Sequence, residues 1–439
     1  MPRWPRRAHS LRRGAALALA VAALAAACAT ARRRVGTTTV ASAGDVDRPV
    51  RSPRDASERT VRILLASRQS SVHLSAAGGW RMFASDGVTP LAVPNPGERW
   101  ILEQDGRLVS ARREDSRPVP LRDAPIVVRP SDPGGTLTFN GRHWRGELLV
   151  ATGDDGVVVV NRLRMDDYVR GVVPLEIGTT SPGDAAAVEA QAVTARSYAV
   201  TRLGDSRRGF DLTATTQDQV YGGADAETQV GNASVDATQG LVLLYGGAVV
   251  NAPYHANCGG STAAPQDSWR ASAEPYLQRV SDQIPGTNRY YCDQAPHFRW
   301  TRTFGADELR DAVARYVRAL PGGAGGIGVV TNVAVAAVTP AGRVGTLTVD
   351  TDRGRWSLRG NEIRAALRSP AGELLYSTYF SVDVVSGRGG VERLILNGGG
   401  NGHGVGMCQS GAIGRARAGQ DFRTILRTYY PGTTIGTIQ

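Results

Sequence analysis

A single acidic side chain stands within an apolar segment near the middle of the chain. Residues 171–177 read GVVPLEI, and Glu176 is the only charged residue among them. Apolar surroundings disfavour the ionised form of a carboxyl group and therefore raise its pKa. A carboxyl group with a raised pKa can donate a proton near neutral pH, as a general acid must. The alternative interpretation is a solvated glutamate at the end of a strand, without a catalytic role.

The densest run of glycines in the chain surrounds one histidine. Residues 397–412 read NGGGNGHGVGMCQSGA, with His403 flanked by glycine on both sides. The run lacks the Gly-Lys-Ser/Thr ending of a phosphate-binding loop. Glycines allow the backbone to approach a ligand closely, with one imidazole and one amide side chain nearby. A structural interpretation, in which the glycines serve tight turns, accounts for some of them.

Cysteine and histidine form a third group of residues that could do chemistry. Apart from Cys28, the cysteines are Cys258, Cys292 and Cys408. In an exported protein, one interpretation is a disulfide between Cys258 and Cys292 that leaves Cys408 as a free thiol. The other is a zinc site formed by His255, Cys258 and Cys292, because zinc accepts nitrogen and sulfur ligands and His-x-x-Cys places two of them on one turn.

A helix is predicted directly after the acidic residue. Ser181 suits the N-cap, Pro182 the first helical position and Gly204 the stop, which predicts a helix over residues 182–203. Small alanines fill this helix, so it can pack closely against a neighbour. Its polar exceptions include Gln191, Arg196 and Tyr198.

Short strands are predicted on both sides of this helix. Residues 61–161 combine alternating apolar positions with turn signals such as Asp105-Gly106 and Asn140-Gly141. Strand patterns return after residue 240, with further helices predicted at 302–320, 361–367, 412–418 and 422–429. The chain is therefore predicted to be an α+β protein, β-rich with short strands, with a central helix packed on sheet and a smaller N-terminal β region.

The charge of the chain is concentrated at its N-terminus. The net charge is +11, but residues 1–34 contain eight arginines and no acidic residue, so the remainder is nearly neutral. No basic patch interleaved with aromatic residues stands out, which argues against a nucleic-acid partner. At 439 residues the chain is too long for one ordinary domain and can bury a large core.

The N-terminus has the pattern of an export signal. A basic segment precedes an apolar run at residues 15–27 that is too short to span a bilayer, which predicts a signal peptide over residues 1–27. Residues 25–27 resemble a signal-peptidase site, whereas residues 24–28 resemble a lipobox that would make Cys28 a lipid anchor. We expect an exported protein of the periplasm or cell envelope, held at the membrane only through that anchor.

Three further segments complete the predicted organisation. Residues 28–58 read as a linker without apolar periodicity, residues 59–144 as the N-terminal β region, and residues 145–439 as the main domain.

Separated sequence blocks carry a resemblance to a known family. They read DYVRGVVPLE (167–176), EAQAVTARSYA (189–199), DQVYGG (218–223), YHANCGG (254–260), GHGVGMCQSGA (402–412) and YYPGT (429–433). In this order they resemble the SpoIID/LytB domain of the stage II sporulation protein D family. Several blocks in the right order are far more specific than any one motif. The resemblance covers about residues 145–439.

The resemblance implies activity on peptidoglycan. Characterised members of the family are lytic transglycosylases that cut glycan strands stripped of their stem peptides, and others are described as enhancers of an amidase. The position matching the family's catalytic acid is Glu176. By analogy, Glu176 would protonate the glycosidic oxygen and then take the proton from the muramic acid 6-hydroxyl as that oxygen closes on C1. One carboxyl group would thus do both tasks that paired acids share in ordinary glycosidases.

The resemblance also implies a set of groove residues. The matching positions expected to contact sugars are Gln191, Arg196, Tyr198, His403 and Gln409. Residues 178–183 lack the aromatic residue often found just after the acid, so the resemblance does not extend to the shape of the groove. Some members bind zinc through His and Cys in an arrangement that does not map onto this chain. No cofactor is required by the implied reaction.

Three functions follow as hypotheses. The first is a glycan-cleaving enzyme that uses Glu176 and acts on peptidoglycan glycan strands. The second is a non-catalytic peptidoglycan-binding protein that enhances an amidase partner. The third is a zinc hydrolase.

Overall fold

The computed structural model describes residues 59–115, 121–204, 208–320 and 326–437. The predicted signal peptide at 1–27, the anchor at Cys28 and the linker at 28–58 lie outside the described residues. Over the described ranges, no helix combines the length and the apolar content needed to cross a membrane.

Short strands joined by turns make up the chain before its first helix. Alternate residues of these strands are buried, as the two-residue period of an extended chain requires; Val61 and Ile63 are fully buried. The strands are β1 (Thr60–Gln69), β2 (Ser71–Ser75), β3 (Trp80–Phe83), β4 (Pro90–Ala92), β5 (Trp100–Asp105), β6 (Leu108–Arg113), β7 (Leu121–Asp123), β8 (Ile126–Pro130), β9 (Leu137–Phe139), β10 (Arg142–Trp144), β11 (Glu147–Gly153) and β12 (Gly156–Arg164).

These strands form two sheets. One has six strands in the order β10-β9-β2-β5-β6-β7. The other has seven in the order β13-β1-β12-β11-β8-β3-β4, where β13 is the later segment Leu212–Thr213. Strand β1 pairs antiparallel with β12, and β8 with β11. One sheet therefore contains strands from both sides of the boundary predicted between residues 144 and 145.

Helices follow, and then short strands return. In chain order these elements are α1 (Met165–Ile177), α2 (Ala185–Val200), α3 (Gln229–Ala237), β14 (Val242–Tyr245), β15 (Ala248–Val249), β16 (Tyr254–His255) and the single turn α4 (Pro265–Ser268). Strands β14 and β15 form a hairpin in which Leu244 pairs with Val249.

Helices α1 and α2 lie against each other within the main core. The small residues predicted to allow close packing do so, because Ala190, Ala192 and Ala195 of α2 are fully buried. The helix predicted over 182–203 begins as a 3₁₀ turn, Pro182–Asp184, and becomes α-helical only at Ala185. The side chain of Ser181 makes no capping hydrogen bond.

A second hydrophobic core is formed later in the chain. It contains buried residues such as Phe304, Leu347 and Leu394. The helix predicted at 302–320 belongs to it, although its first residues form a strand. Its elements are β17 (Trp300–Gly305), α5 (Ala306–Arg318), β18 (Val330–Val338), β19 (Val344–Thr351), β20 (Gly354–Arg359), α6 (Asn361–Ala366), β21 (Phe380–Gly387) and β22 (Gly390–Gly398).

After this second core the chain returns to the first. The last elements are β23 (Met407–Cys408), α7 (Gln409–Arg417), α8 (Phe422–Tyr429) and β24 (Thr434–Gly436). Strand β23 pairs parallel with β16, so that Tyr254 lies opposite Met407 and His255 opposite Cys408. This pairing joins two of the sequence blocks, and the helices and sheets together confirm the predicted α+β class.

Candidate active site around Glu176

Glu176 lies in the last turn of α1 and is buried. Only 7% of its surface is exposed, so the interpretation as a solvated glutamate at a strand end is wrong. The helix stops directly after it, because Gly178 adopts a left-handed conformation with φ of 70°. The main-chain N–H of Val220 donates a hydrogen bond of 2.8 Å to Oε1 of Glu176. That bond fixes the carboxyl group in one orientation.

The surroundings of Glu176 change its acidity. Burial raises the pKa of the Glu176 carboxyl group to about 7, while the hydrogen bonds from the Val220 N–H and the Tyr254 hydroxyl act to lower it. Removal from water is the largest of these effects, because it penalises the charged form. At neutral pH the carboxyl group can therefore both give up and accept a proton, as general acid–base catalysis demands.

A chain of side-chain hydrogen bonds ends at this carboxyl group. The Tyr168 hydroxyl donates to Oε1 of Gln219 over 3.1 Å. Nε2 of Gln219 then donates to the Tyr254 hydroxyl oxygen over 3.0 Å. With its oxygen already accepting from Gln219, the Tyr254 hydroxyl directs its proton to Glu176. This chain orients the acid through buried groups that polarise one another.

Two predicted groove residues do meet the acid. Nε2 of Gln409, the first residue of α7, donates to the main-chain carbonyl oxygen of Glu176 over 2.8 Å. The same nitrogen lies 3.3 Å from Oε1 of Gln191, on α2. Both glutamine side chains are buried, and Gln191 has no exposed surface. They support the end of α1 from the protein interior. Because both are buried, they do not line an open groove.

His403 is a structural residue in this fold, which corrects its predicted role in sugar binding. Its Nε2 donates to the carbonyl oxygen of Tyr254 over 2.8 Å, and its Nδ1 accepts from the Val405 N–H over 3.1 Å. Burial lowers the pKa of the imidazole to about 3, so the ring is neutral. Both ring nitrogens bind the backbone, and only 2% of the residue is exposed. His403 thus holds the glycine-rich segment against Tyr254.

Arg196 also takes a different role from the one predicted. The residue has no exposed surface, and its Nε donates to Oδ1 of Asp166 over 2.6 Å. Its Nη1 donates to the carbonyl oxygen of Leu241 over 2.8 Å. This guanidinium group ties α2 to α1 and to the start of β14, inside the core. It cannot reach a glycan in this arrangement.

Tyr198 is nearly buried at the edge of the same core. Eight per cent of the residue is exposed, and the guanidinium carbon of Arg202 lies 3.3 Å from the centre of its ring. The contact is a cation–π interaction on the surface of α2. The structure places Tyr198 beside the hydrogen-bond chain of the site, because its phenol group interacts electrostatically with those of Tyr168 and Tyr254.

The three cysteines meet in one buried cluster. Sγ of Cys258 lies 3.5 Å from Sγ of Cys292, and all three thiols are free, so the predicted disulfide is not formed in this structure. The sulfur of Cys408 and a carboxylate oxygen of Asp282 join the same group, with all four atoms within 4.8 Å of one another. His255 is not a member, which corrects the predicted ligand set; its Nδ1 lies 3.2 Å from the carbonyl oxygen of Val405.

Sequence reasoning missed three residues that contact these groups. Gln219 and Tyr254 lie within the quoted blocks DQVYGG and YHANCGG, so the blocks themselves were the signal that could have found them. Asp282 lies in no block, and nothing in its neighbourhood of the sequence distinguishes it.

The surface near Glu176 is partly open. Val220 and Tyr254, which contact the carboxyl group, are both half-buried, so the acid lies just beneath the surface. A cavity of about 710 Å³ lies elsewhere, lined by residues that include Trp300, Tyr379 and Asn397, and does not contain Glu176.

Comparison with known proteins identifies relatives of this chain. Residues 153–245 match the family described as Stage II sporulation protein (SpoIID), and residues 263–406 match a domain of unknown function. An uncharacterized protein of Brachyspira hyodysenteriae is 32% identical over 302 residues, which cover 68% of this chain and 74% of that protein.

Two relatives from Bacillus subtilis carry descriptive names. The amidase enhancer is 28% identical over 61% of this chain and 40% of its own length. Stage II sporulation protein D is 27% identical over 63% of this chain and 75% of its own length. The matched family region contains Glu176, Gln191 and Gln219, the residues at the centre of the hydrogen-bonded site. The chain belongs to the stage II sporulation protein D (SpoIID) family.

Proposed function

We propose that this protein is a lytic transglycosylase that cleaves glycan strands of peptidoglycan, with Glu176 as its acid and base. The observation that carries the proposal is a single buried carboxyl group whose pKa is raised to about 7 and whose orientation is fixed by Val220. The names of the relatives, an amidase enhancer and stage II sporulation protein D, support a role related to the cell wall. The proposed substrate is a strand stripped of its stem peptides.

In the proposed reaction one carboxyl group acts twice. Because Oε1 accepts the Val220 N–H, the proton of the neutral acid is carried by Oε2. Glu176 donates that proton to the glycosidic oxygen as the bond from C1 breaks, and the leaving sugar departs as an alcohol. The resulting carboxylate then accepts the proton of the muramic acid 6-hydroxyl, and the oxygen of that hydroxyl bonds to C1. The product is an anhydro-muramyl end, and Glu176 is protonated again by the proton from the 6-hydroxyl.

The hydrogen-bonded surroundings suit both steps. Burial favours the neutral acid before the first step, whereas the Val220 N–H and the Tyr254 hydroxyl stabilise the carboxylate that the step produces. The groups are already in place, so little reorganisation is needed when the charge appears. The reaction requires no cofactor. We propose export to the periplasm or cell envelope, because the substrate lies there.

A second function is an enhancer of an amidase that binds peptidoglycan without cutting it. The observation that favours it is the likeness to a relative named amidase enhancer, although the match covers only 40% of that protein. The proposed partner is then an amidase, and Glu176 serves only the fold.

The Glu176→Gln variant separates the two functions. Wild-type protein and variant are incubated with denuded glycan strands and with intact sacculi, and anhydro-muramyl products are measured by mass spectrometry. We expect wild-type protein to release these products from denuded strands and the variant to lose at least about 100-fold in rate, since general acid catalysis contributes factors of this order.

A matched control uses a second partly buried glutamate. Burial also raises the pKa of Glu189, on α2, which the site does not use. Glu189→Gln should therefore keep the wild-type rate. Equal product release by wild-type protein and Glu176→Gln would contradict the assignment of the acid. If neither releases products but both sediment with sacculi and stimulate an added amidase, the enhancer function is supported instead.

A further inference from the structure

Four ligand atoms of the types that bind transition metals converge inside the main core. They are Sγ of Cys258, Sγ of Cys292, Sγ of Cys408 and a carboxylate oxygen of Asp282, all within 4.8 Å of one another. All four residues are buried, and Cys258, Cys408 and Asp282 have no exposed surface. The cluster does not include the proposed acid, and nothing in the glycan chemistry uses it. A buried group of this polarity requires a partner of opposite charge.

We propose that these four residues form a tetrahedral zinc site. A disulfide brings two sulfur atoms to about 2.05 Å, whereas ligands at the usual Zn–S distance of about 2.3 Å stand about 3.8 Å apart at the corners of a tetrahedron. The observed distance of 3.5 Å between the sulfurs of Cys258 and Cys292 is close to the second value. Three thiolates and one carboxylate are a donor set that zinc accepts, and four protein ligands make a closed, structural site.

Main-chain N–H groups already point at the sulfur atoms. Cys408 Sγ accepts from the N–H of Cys258 over 3.2 Å and from that of Gly411 over 3.3 Å. Cys258 Sγ accepts from the N–H of Gly260 over 3.3 Å. The Gly411 donor belongs to the first turn of α7, whose positive end faces the sulfur. Metal-bound sulfurs commonly accept main-chain N–H groups in this way, so these donors would hold the ligands in place.

Asp282 is oriented as a ligand by the residues behind it. Its Oδ1 accepts from the Tyr429 hydroxyl over 2.7 Å and from Nη2 of Arg415 over 3.0 Å. Its Oδ2 faces the sulfurs and lies 3.4 Å from Sγ of Cys258. Metal-binding carboxylates are held in this way, with one oxygen toward the metal and the other hydrogen-bonded to supporting groups.

A divalent cation would offset much of the negative charge of the cluster. Three thiolates and a carboxylate carry four negative charges, of which zinc offsets two. Arg415, bonded to Asp282, offsets a third. Arg343 is also close: it is 1% exposed, its Nη2 donates to the carbonyl oxygen of Cys258 over 3.1 Å, and its charge is shared with Asp267.

The site would join distant parts of the chain at the edge of the candidate active site. Cys258 follows β16, Cys408 ends β23, and Cys292 and Asp282 come from the segment between them. The residue after Cys408 is Gln409, which bonds to Glu176. Metal binding therefore holds the start of α7 in place, and the binding itself does not depend on whether Glu176 is catalytic.

Metal content of the whole chain tests the proposal. The chain is produced in zinc-supplemented medium with Cys28→Ala, so that the cluster contains every remaining cysteine. We expect about one zinc per chain by elemental analysis, and a loss of at least about 10-fold in Cys408→Ser and in Asp282→Asn. His255→Gln is the matched control, since this buried histidine contacts Cys258 but supplies none of the four ligand atoms, and the variant should keep its zinc.

Spectroscopy and thiol counting are done on the chain with all four cluster residues present, so they do not depend on whether a variant folds. Cobalt added to the metal-free chain should give thiolate-to-cobalt charge-transfer bands and the d–d bands of a tetrahedral site. Three thiols should react with a thiol reagent only after a chelator is added. A metal-free chain with a Cys258–Cys292 disulfide and one free thiol would overturn the proposal. Zinc retained in both Cys408→Ser and Asp282→Asn, or lost in His255→Gln alone, would overturn it as well.

Discussion

The side-chain amide of Gln409 donates a hydrogen bond of 2.8 Å to the main-chain carbonyl oxygen of Glu176, 233 positions earlier in the chain. This contact joins the first residue of α7 to the last turn of α1. Carbonyl groups in the last turn of a helix have no partner within the helix, so they require one from outside. The glycine-rich block thereby supports the acid through its backbone, while the carboxyl group itself stays available for chemistry.

Removing this support should cost stability as well as activity. Gln409→Ala leaves the Glu176 carbonyl oxygen without its donor and also removes the contact with Gln191. We expect a loss of about 1 to 3 kcal/mol in the free energy of unfolding, measured by urea denaturation. A double-mutant cycle with Gln191→Ala should give a coupling energy of at least about 0.5 kcal/mol. Strict additivity of the two substitutions would show that the glutamines act independently.

The ionised side chain of Glu176 should lower the free energy of unfolding above neutral pH. Its pKa is about 7 in the folded protein against 4.5 when unperturbed, so between these values the unfolded chain releases a proton that the folded protein retains. Stability therefore falls as pH rises from about 4.5 to 7, and the whole penalty is present above 7. Glu176→Gln should be more stable than wild-type protein by about 3 kcal/mol at pH 8, with little difference near pH 4.5.

The difference in free energy of unfolding between wild-type protein and Glu176→Gln is measured by urea denaturation at each pH. If this difference grows from pH 4.5 to pH 8, burial of the carboxyl group is its cause. The exposed Glu392, on β22, provides the control, and Glu392→Gln should change stability by less than about 0.5 kcal/mol at either pH. A Glu176→Gln variant that is less stable than wild-type protein at pH 8 would mean that the carboxylate is stabilised by its partners and not penalised by burial.

Tyr254→Phe should move the alkaline limb of the activity profile. The Tyr254 hydroxyl lowers the pKa of Glu176 by stabilising its ionised form, so loss of the hydroxyl group should raise that pKa further. An acid that must be protonated then stays active to higher pH. We expect kcat/KM for denuded glycan to fall as pH rises through about 7 in wild-type protein, and at a higher pH in the variant.

A tyrosine outside the site controls for the loss of a hydroxyl group. Tyr316, half-buried on α5, lies in the second core, and Tyr316→Phe should leave the profile unchanged. An alkaline limb that moves to lower pH in Tyr254→Phe would show that the hydroxyl group favours the neutral acid.

Substitution of Arg196 should affect folding and leave substrate recognition unchanged. Its guanidinium group is fully buried against Asp166, and removing one partner of a buried ion pair leaves the other uncompensated. Arg196→Met should therefore lower the free energy of unfolding by about 3 to 5 kcal/mol. The KM for denuded glycan should stay at the wild-type value below the unfolding temperature, because the side chain does not reach the surface.

The ion pair between Arg164, which precedes α1, and Asp167 in its first turn is the matched comparison for Arg196. Arg164 pairs with Asp167, but 71% of its side chain is exposed. Arg164→Ala should cost less than about 1 kcal/mol, as exposed ion pairs do. An unchanged stability of Arg196→Met together with a raised KM would restore the role in sugar binding that the sequence pattern suggests.

Local patterns in the sequence predicted what depends on neighbours along the chain. Alternating apolar residues and turn signals predicted the strands of the N-terminal region, and the alanine-rich segment predicted α2, because period and side-chain size act locally. The apolar run around Glu176 predicted a carboxyl group with raised pKa. The spaced blocks predicted the family, and two residues within them, Gln191 and Gln409, meet at the main chain of Glu176 in the structure.

Roles that depend on three-dimensional burial and on distant partners were decided only by the tertiary structure. The types of His403 and Arg196 suggested binding, yet the fold surrounds both with backbone and core partners, and burial of that kind cannot be read from spacing. Asp282 carried no signal at all. It joins the cysteines because its main-chain N–H donates to the carbonyl oxygen of Gly260, beside Cys258. The parallel pairing of β16 with β23 brings together the residues about 150 positions apart, Cys258 and Cys408. The sequence by itself determined which residues could do chemistry, and the long-range packing decided which of them meet.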